Sequence, residues 1–289
     1  MSGNAPQPNG EPSWTFRGLD LSAMTAVVTG ASRGIGRATS IALARAGIKA
    51  VAAVDLLPEV SAFAADGNRR LKREVFLPFQ GDVTNADFRR SVFATLEAKV
   101  GPASICVPAA GVVRDKLAAK IDKATGQAVL YPEDEFHRVL EIDLVAPIYW
   151  ALETIASVAR DRHRRGLGRW NPDEGVQGVV IFIGSVSSAG NKGQIAYASA
   201  KAGLEGAQAT LATEAIFFGV RSAIIHPGYT DTAMVRALGE DFIAEHIIPQ
   251  TQLGRLILPE EIADAIVFMI RNAAVSGQLW ADAGWHPTA

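Results

Sequence analysis

The sequence predicts an α/β protein in which a doubly wound (Rossmann) parallel sheet is covered by helices on both faces. Three observations carry that expectation. Short apolar runs at 26–29, 51–54, 75–79, 105–107 and 179–183 alternate with stretches of helical pattern, the order that builds strand–helix–strand units. These runs lack the apolar–polar alternation of a half-exposed strand, as a sheet buried on both sides requires. The first run passes directly into Gly30-Ala-Ser-Arg-Gly34-Ile-Gly36 and then into a helical pattern over 37–46.

Strand, glycine turn and helix in that order deliver a pyrophosphate to a helix N-terminus, where free N–H groups and the helix dipole favour anions. Gly30, Gly34 and Gly36 let backbone approach such a ligand closely, with Ser32, Arg33 and Ile35 between them. The second run ends at Asp55, nineteen residues beyond Gly36, where an acidic residue accepts hydrogen bonds from the adenosine ribose. A carboxylate there repels the 2′-phosphate of NADP, so NAD is the expected cofactor. Arg33 pulls the other way as a phosphate partner, but on a long, mobile side chain. The bland reading of Asp55 is a solvated turn residue. The third run leads to Gly81-Asp82-Val83-Thr84. Asp82 either accepts from an adenine amino group or caps the helix that starts near Asp87. The fourth run ends in Pro108-Ala109-Ala110-Gly111, small residues suited to close backbone contact with a cofactor.

The fifth run ends just before Ser185, at the strand end where open α/β sheets bind ligands. Ile183 breaks the Gly-x-Ser-x-Gly pattern, so this serine is not a hydrolase elbow. Tyr197 and Lys201 follow, four apart in an Ala-rich helical stretch, which puts both on one helix face. A phenol titrates near ~10, and lowering that by ~3 units takes roughly 4 kcal/mol. An ammonium ~5 Å away at an effective dielectric of ~20 supplies roughly 3 kcal/mol, and an oxidised nicotinamide the remainder. Tyr197 on this reading is a proton-transfer group. Alone, Tyr-x-x-x-Lys is a short motif that an ordinary helix-face contact also satisfies; Ser185 supplies the context.

With TGASRGIG at the first turn, Ser185, and Tyr197-x-x-x-Lys201, the chain resembles the short-chain dehydrogenase/reductases, in their single-domain, ketoacyl-reductase-like branch. His226-Pro227-Gly228, with Thr230 and Thr232, is similar to the family's turn that holds the nicotinamide carboxamide. Ala110-Gly111-Val-Val-Arg-Asp-Lys-Leu117 and LGRLILPEEIADAIVFM extend the match across 21–285. The resemblance implies seven strands in one domain, and NAD held by the turn residues already named, by Asp55, Asp82, Val83, Ala110 and Gly111, and by Tyr197, Lys201, Pro227, Gly228, Thr230 and Thr232. It implies hydride transfer between the nicotinamide and a secondary alcohol or ketone. Tyr197 would exchange the hydroxyl proton, Ser185 would hydrogen-bond the carbonyl oxygen, and Lys201 would lower the tyrosine pKa and bind the ribose. A small-molecule substrate is the implied partner, and a homo-oligomer, tetramer or dimer, the implied assembly.

Four positions depart from the family pattern. Pro108-Ala109 replaces Asn-Asn ahead of Ala110-Gly111. Asp143 stands where the family has a catalytic asparagine that helps hold a water between the lysine and solvent. An ionised aspartate only accepts hydrogen bonds, and it attracts the proton of Lys201. Phe218 stands where acyl-carrier reductases often have a basic residue, which argues against a carrier-protein substrate. These departures keep open a nucleotide-binding but catalytically idle scaffold. An epimerase or dehydratase of the longer branch fits less well, for want of its glycine spacing and larger carboxyl-terminal region.

Composition limits the rest. The 289 residues are 48% hydrophobic and 20% charged with a net charge of −2, so no basic excess points to nucleic acid. No run approaches the ~18–20 apolar residues of a membrane span. Cys106, the single cysteine, reads as a small core residue, and with no secretory signal a reducing cytoplasm is expected. The five histidines show no paired spacing for zinc. Residues 1–20, Pro/Gly-rich at their start, are expected to be a disordered tail, and 21–289 one oxidoreductase domain. Within it, 122–131 is expected to form a small hairpin at the substrate mouth. The segment 160–177 carries five arginines and reads as a solvated loop or subunit contact, or as a site for an anionic partner. Over 229–253, Met234, Leu238 and Phe242 recur every four residues, which suits an amphipathic substrate lid or a plainly packed surface helix.

Overall fold

In the computed structural model, which describes residues 18–285, the apolar runs form five strands of a seven-stranded sheet. In chain order the strands are β1 (Thr25–Thr29), β2 (Ala50–Asp55), β3 (Phe76–Gln80) and β4 (Ile105–Pro108), an antiparallel hairpin of β5 (Ala119–Ile121) and β6 (Ala128–Leu130), and then β7 (Gly178–Ile183), β8 (Val220–Pro227) and β9 (Gly277–Ala281). The large sheet runs β3-β2-β1-β4-β7-β8-β9, every neighbouring pair parallel. The central strands are buried along their whole length, as their unbroken apolar runs require. β3 lies one residue later than expected, and it and β9 alternate in exposure, because each is an edge strand.

The helices are α1 (Gly34–Arg45), α2 (Glu59–Leu71), α3 (Ala86–Lys99), α4 (Glu133–Leu140), α5 (Ala146–Arg164), α6 (Ile195–Glu214), α7 (Ala233–Arg236), α8 (Glu240–Phe242) and α9 (Pro259–Arg271). Leu43 of α1, Phe63 of α2 and Ile266 of α9 pack on one face of the sheet with Val28. Phe93 of α3, Trp150 of α5 and Leu204 of α6 pack on the other with Val27. Adjacent residues of β1 thus feed two separate cores, the signature of a doubly wound sheet. Cys106 lies fully buried in β4, where burial pushes its thiol up to about 12, against a hydrogen bond shared with Thr154.

A π-helical turn, Glu141–Val145, joins α4 to α5 and carries Asp143. The resulting continuous helix, Glu133–Arg164, is 32 residues long with a stretch of mean hydropathy 1.4. By length and composition it passes for a membrane span, which the sequence reading did not anticipate. Trp150, Ala151 and Val158 bury its apolar face against the sheet, so it serves as a core helix.

Of the expected tail, residues 1–17 lie outside the described residues; the Leu19 N–H donates to the Arg271 carbonyl at 2.8 Å. The hairpin forms, starting at Ala119 rather than at Asp122. Over 229–253 the helical pattern is broken at Gly239, whose φ is +93°, into α7 and α8, followed by a π turn. Four of the five arginines of 160–177 pair with acids within the chain, Arg160 with Glu97 at 4.0 Å. Buried Arg162 donates to Glu174 at 2.6 Å and to the Gly168 carbonyl at 2.9 Å. Arg164 pairs with Glu97 and Asp161, and Arg165 with Asp161. Trp170 donates its indole N–H to the Gly175 carbonyl at 2.7 Å. This is a packed insertion, and most of its charge is paired with acids of the chain, Arg169 standing exposed.

Candidate active site

β1, β2, β4, β7 and β8 all end at the carboxyl edge of the sheet, and the strand order reverses between β1 and β4, opening a crevice there. Gly30, directly after β1, has φ +66°, and a Cβ on it would lie 2.9 Å from the Ala110 nitrogen; only glycine serves. The Ala110 N–H donates to Thr29 Oγ1 at 3.1 Å, tying the two sides of the crevice together. Gly36 packs on the Gly30 carbonyl with no space for a side chain. Arg33 occupies the N-cap of α1 and provides no side-chain cap, so the first N–H groups of that helix stay available to the turn. The Ser32 hydroxyl is buried without a hydrogen-bond partner. A cradle that admits no Cβ, an uncapped helix start and an orphan hydroxyl together fit the pyrophosphate of a dinucleotide.

Asp55 ends β2 and is 7% exposed. Its Oδ2 accepts the Ser32 N–H at 2.9 Å and its Oδ1 the Leu57 N–H at 3.0 Å. It is therefore no solvated turn residue; its carboxylate braces the glycine turn. Asp82 does not cap α3. Asn85 does, accepting from the Phe88 N–H at 2.9 Å, while Asp82 Oδ1 closes a turn on the Thr84 N–H and hydroxyl. The Val83 carbonyl accepts from the Trp150 indole at 2.9 Å, which anchors this loop to α5. At the far end, Gly228 packs against the Asp282 backbone. The Thr230 hydroxyl donates to the Gly228 carbonyl at 3.0 Å. Thr232 sits over the glycine turn, its methyl group 3.2 Å from a Cβ placed on Gly34.

Ser185, Tyr197, Ile35, Pro227, Gly228, Thr230 and Thr232 line one cavity, with Met234, Val235 and Leu238 of the 229–253 segment on its wall; Phe242 instead stacks on His246. Tyr197 and Lys201 share a face of α6, the ammonium 5.3 Å from the phenol ring centroid. Lys201 is 5% exposed and donates to the Ile183 carbonyl at 3.1 Å. The Ser185 hydroxyl is hydrogen-bonded to the Tyr197 phenol.

The electrostatics differ from the expected lowering. Burial pushes the Tyr197 phenol well above its usual value, the Asp143 charge adds to that, and the Ser185 hydrogen bond offsets a part. Burial also pulls the Lys201 ammonium down, with Asp143 holding it up. Asp143 is fully buried; burial pushes its carboxyl up to about 6, against the Lys201 charge and the Val112 N–H. That N–H reaches Oδ1 at 2.8 Å, whereas Oδ2 has no hydrogen-bond partner. Gly111 lies against the same carboxylate, 3.3 Å from Oδ1 if given a Cβ.

Two residues to which the sequence reading gave no role of their own, His226 and Gly184, support the site. His226 is fully buried, stacked on Trp280 with centroids 4.3 Å apart. Its Nδ1 donates to the Ser185 carbonyl at 3.2 Å, the only role open to a ring nitrogen facing a carbonyl. A Cβ on Gly184 would lie 2.6 Å from that nitrogen, so glycine is what lets strand β7 pass the imidazole. The signal was its place directly before Pro227-Gly228.

Residues 24–242 match the family of short chain dehydrogenases. Over 254 residues the chain is 34% identical to the acetoacetyl-CoA reductase of Rhizobium meliloti, covering 86% of this chain and 91% of that one. Over 260 residues it is 30% identical to the 3-oxoacyl-acyl-carrier-protein reductase FabG of Escherichia coli, covering 89% and 93%. Its fold is similar to the crystal structure of a short-chain type dehydrogenase/reductase from Mycobacterium marinum, with a TM-score of 0.76 at 24% identity over 92% and 96% of the two chains. Sequence and architecture agree along nearly the whole described length, and the chain belongs to the short-chain dehydrogenase family.

Proposed function

We propose that this NAD(P)-dependent oxidoreductase works chiefly as a ketone reductase, with Tyr197 as the proton donor. The observation that carries this reading is that Ser185 and Tyr197 line the cavity beside the glycine cradle, with the Lys201 ammonium buried at the Tyr197 ring. A nicotinamide dinucleotide, when bound, supplies the hydride. The phenol, held neutral by burial and by Asp143, is in the form that protonates an alkoxide at neutral pH. Ser185 donates to the carbonyl oxygen, where negative charge develops. Lys201, a buried cation at the phenol ring, opposes the Asp143 charge once the phenol gives up its proton.

The Asp55 carboxylate at the end of β2 supports NAD over NADP, against exposed Arg33 at the start of α1. Gly30, Ser32, Gly34, Ile35 and Gly36 cradle the pyrophosphate; Asp82, Val83, Ala110 and Gly111 flank the adenosine side, and Pro227, Gly228, Thr230 and Thr232 the nicotinamide side. The 229–253 segment closes over the substrate through Met234 and Leu238. Exposed Phe268 of α9 and Trp280 of β9 support assembly as a homo-oligomer, and buried Cys106 suits a reducing cytoplasm. Nothing in this arrangement favours the idle-scaffold alternative.

The test follows absorbance of the reduced nicotinamide across ketones and secondary alcohols with both cofactors. Turnover with NADH above NADPH is expected, and Tyr197→Phe should cut it by about 10²–10⁴-fold while NADH fluorescence still reports binding. Equal turnover by the phenylalanine variant would end the proton-donor role; absence of turnover for every compound would end the enzymatic one.

A further inference from the structure

The cavity that receives the substrate has apolar walls and a single charge. Val113, Ile183, Val186, Met234 and Leu238 line it. Among the described residues on its wall, Asp115 is the one acid, and no lysine, arginine or histidine is present. The Asp115 carboxylate is held in place. Gln194 donates to its Oδ2 at 3.0 Å, Asn191 donates to the Gln194 side-chain Oε1 at 3.1 Å, and the Tyr229 phenol is hydrogen-bonded to Asn191. This chain of amides fixes the orientation of Gln194, with its N–H facing the acid. The cations on either side in sequence are turned elsewhere: Arg114 donates to the Val113 carbonyl at 2.8 Å, and Lys116 pairs with Glu135. Asp115 is exposed on the cavity wall, and its charge adds the smallest of the contributions that shift the phenols of Tyr197 and Tyr229, in the raising direction.

Building on the ketone-reductase reading, we propose that Asp115 is a specificity-determining residue that bars a negative charge close to the reacting carbonyl, so that the cavity takes uncharged ketones and secondary alcohols. A 3-oxo ester or thioester enters, and the free 3-oxo acid is refused. Discrimination of this kind works through repulsion rather than through an added attraction, and it strengthens as a substrate displaces water from the cavity.

Methyl acetoacetate and acetoacetate differ by one charge and test this directly. The quantity is the ratio of their kcat/KM values at pH 7 with the preferred reduced cofactor; where either is not turned over, its Ki against the best ketone of the screen replaces it. The ester is expected to lead, and Asp115→Asn to narrow the ratio by about tenfold, while Asp115→Glu keeps it. Raising the salt concentration should narrow the ratio of the parent enzyme and leave that of the asparagine variant nearly flat, a readout that a purely structural role would not move. An unchanged ratio in Asp115→Asn, or a ratio in the parent that is indifferent to salt, overturns the inference while ketone reduction itself stands. Loss of turnover for all ketones, charged and neutral, overturns the function proposed above and this inference with it.

Discussion

Asp143 is the residue on which the site turns, because it is a fully buried carboxylate with one unpartnered oxygen in the neighbourhood of Lys201 and Tyr197. Its charge raises the phenol and holds up the ammonium. Replacing it by asparagine removes both effects, so Tyr197 and Lys201 each lose their proton at lower pH. The alkaline limb of the pH–rate profile for ketone reduction is therefore expected to move down in Asp143→Asn, by about one unit. A profile that stays in place would show the carboxylate uncoupled from the phenol. Stability has its own sign. The carboxyl titrates near 3.8 when unfolded and at about 6 in the fold. Between those values the folded chain binds more protons, and stability falls as pH rises through them, by on the order of 3 kcal/mol. The asparagine variant escapes that loss, so its denaturation midpoint should gain on the parent between pH 4 and pH 7. None of this was legible from the spacing of Tyr197 and Lys201 alone. The four-residue interval places an ammonium beside a phenol, but the burial and the acid that outweigh it come from a turn more than fifty residues away in the chain.

At the scale of elements, the passage of β7 beside β8 is the tightest fit near the chemistry. Gly184 leaves no space before the His226 imidazole, which is itself clamped by Trp280. Gly184→Ala is expected to cost about 1–3 kcal/mol of stability from overpacking and to displace Ser185, lowering kcat by at least about tenfold. Denaturant midpoints and steady-state kinetics would check both; full activity in the alanine variant would show that β7 yields without disturbing the serine. β1, β2, β4 and β7 were readable because continuous apolar runs between turns have few other uses in a packed fold, whereas buried β8, with Arg221, Ser222 and His226 within it, was expected only through family likeness. β3 slid by one residue and β9 surfaced only through family likeness, since an edge strand exposes every second side chain and blurs the pattern. Asp82 could be read two ways from spacing alone, and Asn85, three residues on, takes the cap, which removes one of them. The arginines of 160–177 read as a free charge run because one of their partners, Glu97, lies on α3, over sixty residues away in the chain.

At the scale of the molecule, the sheet closes one side with β9, which pairs only with β8. Phe268 and Leu258 lie on and beside α9, 50% and 47% exposed, and Trp280 is 43% exposed on β9. Large apolar groups held this open suit a subunit contact. Sedimentation is expected to show a dimer or tetramer at micromolar concentration, and Phe268→Asp to weaken association by at least about tenfold. A parent protein that sediments as a monomer would remove the argument.

The stacked pair of Trp280 and His226 gives that outer border a reach of its own. The indole stands at the rim of the molecule, the imidazole beneath it, and the serine carbonyl next in line. Those two flat rings link the periphery to the backbone that carries the Ser185 hydroxyl. A neighbour seated there would stiffen the floor under the chemistry without touching it.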